Sequence, residues 1–186
     1  MPSGYEIPSL AGVRVALRPI EPQEMGLIQQ WFLECDPLTQ TCRVPGLGSI
    51  DRAIRNAGER TPSATEGDLG IVLRGTGALV GRIRFFDINP RNRSCEIGYI
   101  SAPGARGQGY AREGVGVLLD YLFDGLGLNK VQAQTGAFNA ASIRLLESLG
   151  FSRDAILREH HLFRGVLHDD HVYSILAREW RGRRSG

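Results

Sequence analysis

No part of this chain is more constraining than the segment from Glu96 to Phe151. A run that reads as a strand, Glu96-Ile97-Gly98-Tyr99-Ile100-Ser101, passes through Pro103-Gly104-Ala105 into Arg106-Gly107-Gln108-Gly109-Tyr110-Ala111. Beyond it Val115, Leu118, Leu119, Leu122, Phe123 and Leu126 recur at intervals of 3, 4, 7, 8 and 11 residues. That is the period of a helix with one buried face. The helix therefore starts close to Gly109, and its free N–H groups, with those of the loop, face whatever lies in front of the strand end. Main-chain donors and the positive end of the helix dipole favour phosphate oxygens there. Gly107 and Gly109 let a backbone approach closely, and Arg106 and Arg112 can add charge-assisted hydrogen bonds. The same glycines also suit a plain tight turn between strand and helix.

Neither common nucleotide motif is complete. A P-loop ends in Gly-Lys-Ser/Thr, which is missing. A dinucleotide fingerprint needs a third glycine where this chain has Arg112, and an acidic residue at the end of the next strand, where Lys130 to Gly136 closes on Thr135-Gly136.

The remaining chain reads as one mixed α/β domain. Val13 to Arg18 alternates as a strand stopped by Pro19, and a helix follows from Pro22 with Ile28, Trp31, Phe32 and Cys35 on one face. Asp36-Pro37 and the stretch holding Pro45, Gly46 and Gly48 read as loop; Ser49 suits the cap of a helix from Ile50 to Gly58, and Thr61 to Gly67 reads as a connection. Leu69 to Arg74 and Leu79 to Phe86 form a hairpin about Gly75-Thr76-Gly77, and a turn at Asn89 to Asn92 leads into the strand Cys95 to Ser101. The 186 residues fit a single domain with its core over 13–180 and a basic tail at 181–186, expected to be solvated.

Charge narrows the partners. With 22 basic and 20 acidic residues the net charge is +2, too balanced for a nucleic-acid binder. No apolar run reaches a membrane span, and the N-terminus carries no signal-like segment, so a cytoplasmic location is expected. Cys35, Cys42 and Cys95 are odd in number and lack C-x-x-C spacing, which argues against a disulfide scaffold or a zinc site.

Downstream, Asn139-Ala-Ala-Ser142 and Glu147-Ser-Leu-Gly150-Phe151 follow the strand Lys130 to Gly136. Together with Arg106-x-x-Gly109-x-Ala111 this order resembles the GCN5-related N-acetyltransferase (GNAT) superfamily, and within it the branch that acetylates N-termini of ribosomal proteins. The resemblance runs over residues 13 to 180, through Leu157-Arg158 to Glu179-Trp180. It implies a mixed, mainly antiparallel sheet whose two middle strands, Cys95–Ser101 and Lys130–Gly136, run parallel and splay apart, flanked by helices. It implies acetyl-CoA as cosubstrate, no metal, and a pantetheine arm bonded to backbone near Ile100 and Ala102. The diphosphate would rest on amides from Gly107 to Ala111, Tyr110 among them, with Arg106 beside it; Asn139 would bond the pantetheine and Ser142 would lie near the sulfur. The residues read alone also allow Asn139 to be a helix cap and Ser142 a solvated helix residue.

An alkyl amine has a pKa of roughly 10, so a base is useful for its attack on a thioester. Glu96 is the first candidate, directly or through a water, and Asp87 the reserve; Glu96 could equally sit in a surface ion pair. A main-chain N–H near Ile100 is expected to hold the oxyanion. Many family members carry an acidic tyrosine seven residues after the asparagine; this chain has Leu146, which leaves Ser142 in that role. His160, His161, His168 and His171 cluster late, adjacent ones pointing to opposite faces, and Asp169-Asp170 reads as a solvated hairpin turn. The expected reaction is acetyl transfer to a small-molecule primary amine in a ternary complex. A peptide N-terminus as acceptor and a non-catalytic acyl-CoA-binding module are the alternatives, and a homodimer is left open.

Overall fold

The computed structural model describes residues 10–34 and 66–184. The loop read over 36–48, the helix over 50–58 and the residues Cys35 and Cys42 lie outside them. Seven strands form one sheet: β1 (Val15–Pro19), β2 (Gly67–Leu73), β3 (Leu79–Asn89), β4 (Ser94–Ser101), β5 (Lys130–Gly136), β6 (Ser152–Phe163) and β7 (Val166–Leu176). Their spatial order is β1-β2-β3-β4-β5-β7-β6. Every neighbouring pair is antiparallel except β4 and β5, which run parallel. Helices α1 (Met25–Glu34), α2 (Tyr110–Asp120), α3 (Ala140–Leu149) and α4 (Ala177–Arg184) complete the domain, a 3-10 turn at Pro22–Glu24 leading into α1.

The core lies between the sheet and α2. Val115, Leu118 and Leu119 on α2 and Leu122 just beyond it are fully buried in one core with Ile83, Cys95, Ile97, Val131 and Ile175. Gly114 brings the helix close: a Cβ there would stand 3.0 Å from the Ile71 side chain. Mid-helix glycine costs about 0.5–1 kcal/mol against alanine, which the tighter packing offsets. On β4 the odd-numbered Cys95 and Ile97 face α2, so Glu96, Gly98 and Ile100 face the other side of the sheet. A smaller cluster seats Ile28 and Trp31 of α1 on Ile20, Leu79 and Ala102.

Two expectations are corrected. The periodicity that put Leu126 in the core fails because α2 widens into a π-turn at Tyr121–Gly125, with the Leu126 N–H bonded to the Tyr121 carbonyl; Leu126 is 42% exposed. The hairpin between β6 and β7 turns at Arg164-Gly165, both at positive φ, rather than at Asp169-Asp170. Asp170 is instead wholly buried, its carboxylate taking hydrogen bonds from Gln134 Nε2 at 2.7 Å and from His161 Nδ1 at 3.1 Å. The basic tail is exposed over 181–184, as expected, and is ordered as the end of a helix. In α4, Arg181 and Arg184 bond Asp124 and Asp120, and Trp180 lies buried with its indole N–H on Asp120 at 2.7 Å.

Candidate active site

The parallel pair β4–β5 is short. Register holds only for Ser94–Lys130, Cys95–Val131 and Glu96–Gln132, after which the two strands have no pairing. From Ile97 to Ser101 on one side and Ala133 to Gly136 on the other, a wedge opens in the middle of the sheet.

Parity decides which groups line it. The Ala102 N–H donates to the Val80 carbonyl at 2.9 Å, so alternate residues back along β4, including Ile100 and Gly98, turn their main-chain groups to β3. On the other flank the Lys130 N–H donates to the Arg93 carbonyl at 3.1 Å, which puts odd-numbered residues on the β5 side. The amides that point into the wedge are therefore those of Tyr99 and Ser101. This corrects the expectation that Ile100 and Ala102 offer them, an error of one residue that in a strand reverses direction.

The loop ahead of α2 forms a cradle of main-chain amides. Gly107 and Gly109 take positive φ of 73° and 80°, Gly109 serving as the N-cap of α2. Among the described residues no main-chain acceptor is bonded to the amides from Gly107 to Ala111, and the first helical bond is Glu113 N–H to the Gly109 carbonyl at 3.1 Å. Arg106 is exposed beside the loop. Arg112 reaches α3 instead, its Nε donating to Ser148 Oγ at 3.0 Å.

What holds the cradle was not foreseen. Arg14, just ahead of β1, donates from a terminal guanidinium nitrogen to the Gln108 carbonyl at 3.0 Å and from Nε to Glu113 at 2.9 Å, and lies over the Tyr110 ring at 5.0 Å. Glu113 also accepts the main-chain N–H groups of Arg14 and Val15. Burial pushes the Glu113 carboxyl up, but these hydrogen bonds outweigh it and hold it below the ordinary carboxylate range. A Cβ on Gly109 would stand 3.3 Å from the Arg14 guanidinium, so this glycine serves the clamp as well as the turn.

On the helix face of the wedge, Asn139 caps α3: its side-chain oxygen accepts the Ser142 N–H at 3.2 Å, which leaves the carboxamide N–H groups available. Ser142 Oγ lies 2.9 Å from Tyr99 Oη, bridging α3 to β4. Burial pushes the Tyr99 hydroxyl up to about 12, the bond to Ser142 opposing it. Leu146 is fully buried.

Glu96 stands at the root of the wedge on the opposite face, half-buried and paired in register with Phe86 and Gln132. That face also carries Arg82, held by Asp68 at 2.7 Å, and the Gln134–Asp170–His161 chain, of which Asp170 and His161 are buried. Asp87, the reserve base, sits exposed at positive φ past Glu96, away from where the wedge opens. Cys95 is buried on the helix face, and desolvation pushes its thiol up to about 12, which makes it inert at neutral pH. Among the described residues no group of three or more His, Cys, Asp and Glu side chains converges, and no helix is long and apolar enough to cross a membrane.

A splayed parallel pair, with a donor-lined loop at the head of the following helix, is the architecture of an acyl-CoA transferase. The model of the acetyltransferase (GNAT) domain matches residues 14–152. The uncharacterized N-acetyltransferase YoaA of Bacillus subtilis is 32% identical over 174 residues, 91% of this chain and 97% of that protein. Spermidine N(1)-acetyltransferase of Vibrio cholerae is 31% identical over 105 residues, 56% of this chain and 61% of that one. A crystal structure of spermidine N-acetyltransferase from Vibrio cholerae in complex with CoA and spermine superposes with a TM-score of 0.82 at 24% identity, covering 90% of this chain and 98% of that one. The chain belongs to the GNAT acetyltransferase family and is an acetyl-CoA-dependent acetyltransferase.

Proposed function

We propose that this enzyme transfers the acetyl group of acetyl-CoA to the primary amine of a small molecule, the amine attacking the thioester directly while both are bound. The carrying observation is the wedge itself. It opens after Glu96–Gln132, ends beside a loop whose amides have no main-chain acceptor among the described residues, and has a hydroxyl pair on one face and a carboxylate on the other.

Acetyl-CoA fits these residues: the amides from Gly107 to Ala111 suit a diphosphate, and the Tyr99 and Ser101 amides suit an extended arm laid along β4 as a surrogate strand. Its thioester supplies the activated acyl group. Arg106 adds charge beside the diphosphate, and the free N–H groups of Asn139 suit a carbonyl of the arm. The amine enters from the Glu96 face. Glu96 takes its proton directly or through a water, a step worth roughly 10²–10⁴-fold in general-base catalysis. The carbonyl oxygen, as it gains charge, takes a hydrogen bond from the Tyr99 or Ser101 amide, worth a few kcal/mol. Ser142 presents its hydroxyl to the leaving sulfur.

A small amine as acceptor draws support from the spermidine N(1)-acetyltransferase of Vibrio cholerae, an enzyme of small amines that aligns with more than half of this chain. Thiol release from acetyl-CoA, measured against polyamines, amino sugars, amino-acid amides and peptides with free N-termini, tests the assignment. A small primary amine is expected to turn over. Turnover of peptides alone makes a protein N-terminus the acceptor, and tight acetyl-CoA binding with no turnover makes the domain a binding module.

A further inference from the structure

The hydroxyl pair between β4 and α3 bears on where the hydrogen of Ser142 points. Tyr99 Oη and Ser142 Oγ are 2.9 Å apart, and among the described residues neither oxygen has a second side-chain partner. Each hydroxyl carries one hydrogen. If serine gives its hydrogen to tyrosine, nothing remains for a sulfur in the wedge, and the phenol hydrogen is left without an acceptor in a partly buried place. If tyrosine donates, serine accepts through a lone pair and keeps its own O–H for the wedge. Phenol is the stronger donor of the two, and burial, which pushes the Tyr99 pKa up to about 12, keeps its hydrogen in place through the neutral range.

We propose that Tyr99 is a positioning residue for acetyl transfer: it donates to Ser142 and so turns the serine hydroxyl toward the departing sulfur. The inference rests on the acetyl-transfer function argued above. The step balances without a proton from either hydroxyl. The amine N–C bond forms, the C–S bond breaks with its electron pair on sulfur, and the amine's proton leaves toward Glu96. A thiolate comparable to cysteine's, with a thiol pKa of roughly 8.5, is a weaker base than either oxyanion, so Ser142 stabilises it by hydrogen bonding alone. Where α3 has the apolar Leu146, the second hydroxyl is thus supplied from β4, by a residue whose own amide also lines the wedge.

A double-mutant cycle tests this. Steady-state kinetics are measured for wild type, Tyr99→Phe, Ser142→Ala and the double variant, with the acceptor active on wild type. Tyr99→Phe is expected to lower kcat roughly tenfold, about the worth of one hydrogen bond, with the KM for acetyl-CoA unchanged within about twofold. The double variant should be no slower than Ser142→Ala. Losses that multiply in the double variant, or wild-type kcat in Tyr99→Phe, overturn the assignment of Tyr99 alone. A wild-type chain that releases no thiol with any amine overturns the acetyl-transfer function and this inference with it. Should Tyr99→Phe fail to fold, 3-fluorotyrosine at position 99 gives the reading: a stronger donor of the same shape keeps or raises kcat, and a fall in kcat overturns the proposal.

Discussion

Glu96 sits where the sheet stops being a sheet. It is the last β4 residue in register with β5, so its side chain borders the wedge while its backbone is still fixed. A base there needs no loop motion to be placed. Glu96→Gln keeps the shape and removes the base; kcat should fall by roughly 10²–10⁴-fold at neutral pH, with acetyl-CoA affinity by calorimetry unchanged. Recovery of kcat as the assay pH approaches the amine's own pKa would mark the loss as one of deprotonation; an unchanged kcat would remove Glu96 from the mechanism. Glu96 could be picked out as a candidate from its strand, and Asn139 and Ser142 from the resemblance of their motif to the family. The role of Tyr99 could not, because its partner lies 43 residues away and only the packing of α3 over the wedge brings the two hydroxyls together.

At the scale of elements, the loop and α2 depend on β1. Glycine-rich turns are read easily from sequence, and the start of α2 next to Gly109 follows from spacing alone. The clamp that fixes the turn does not, since Arg14 and Glu113 are 99 residues apart and each looks like an ordinary surface charge. Gly109→Ala would force alanine into the left-handed region, at about 1–2 kcal/mol, and press on the Arg14 guanidinium. The KM for acetyl-CoA should rise roughly tenfold or more, with kcat at saturation much less affected; an unchanged KM would mean that the loop does not hold the diphosphate. Glu113→Gln tests the clamp by pH. The folded-state pKa of Glu113 is depressed, so its stabilisation is fully present above the unfolded carboxyl's value of roughly 4.3 and is lost as pH falls through the lower folded value. Wild type should therefore melt several degrees above the variant at neutral pH, the gap closing below about pH 4. A gap that persists there would place the effect in packing, not charge.

At the scale of the molecule, the sheet is two ladders, β1 to β4 and β5 to β7, joined by three register pairs. A sheet opened in its middle has given up the cross-strand bonds that would make it one unit, so the halves must be held from outside. The buried residues of α2 share one core with Ile83 and Ile97 on one ladder and with Val131 and Ile175 on the other. Its outer side is gripped by α4, where Trp180 lies against Gly116 at 3.6 Å from where a Cβ would be and donates to Asp120, while Arg181 and Arg184 reach Asp124. In the sequence this segment reads as loose basic residues because its acidic partners sit 57 to 64 positions earlier. Trp180→Ala removes a buried ring and its hydrogen bond at a cost of about 3–5 kcal/mol, which for a domain of this size lowers Tm by roughly 6–20 °C. Since the indole of Trp180 packs on Gly116 and bonds Asp120 of α2 rather than a residue of the wedge, the variant at low temperature should keep its KM for acetyl-CoA within about twofold. Arg184→Ala, an exposed ion pair, should shift Tm by no more than a few degrees. A Trp180→Ala protein with wild-type Tm would mean that the three strand pairs hold the ladders unaided; one with a raised KM at full folding would mean that α4 sets the width of the wedge.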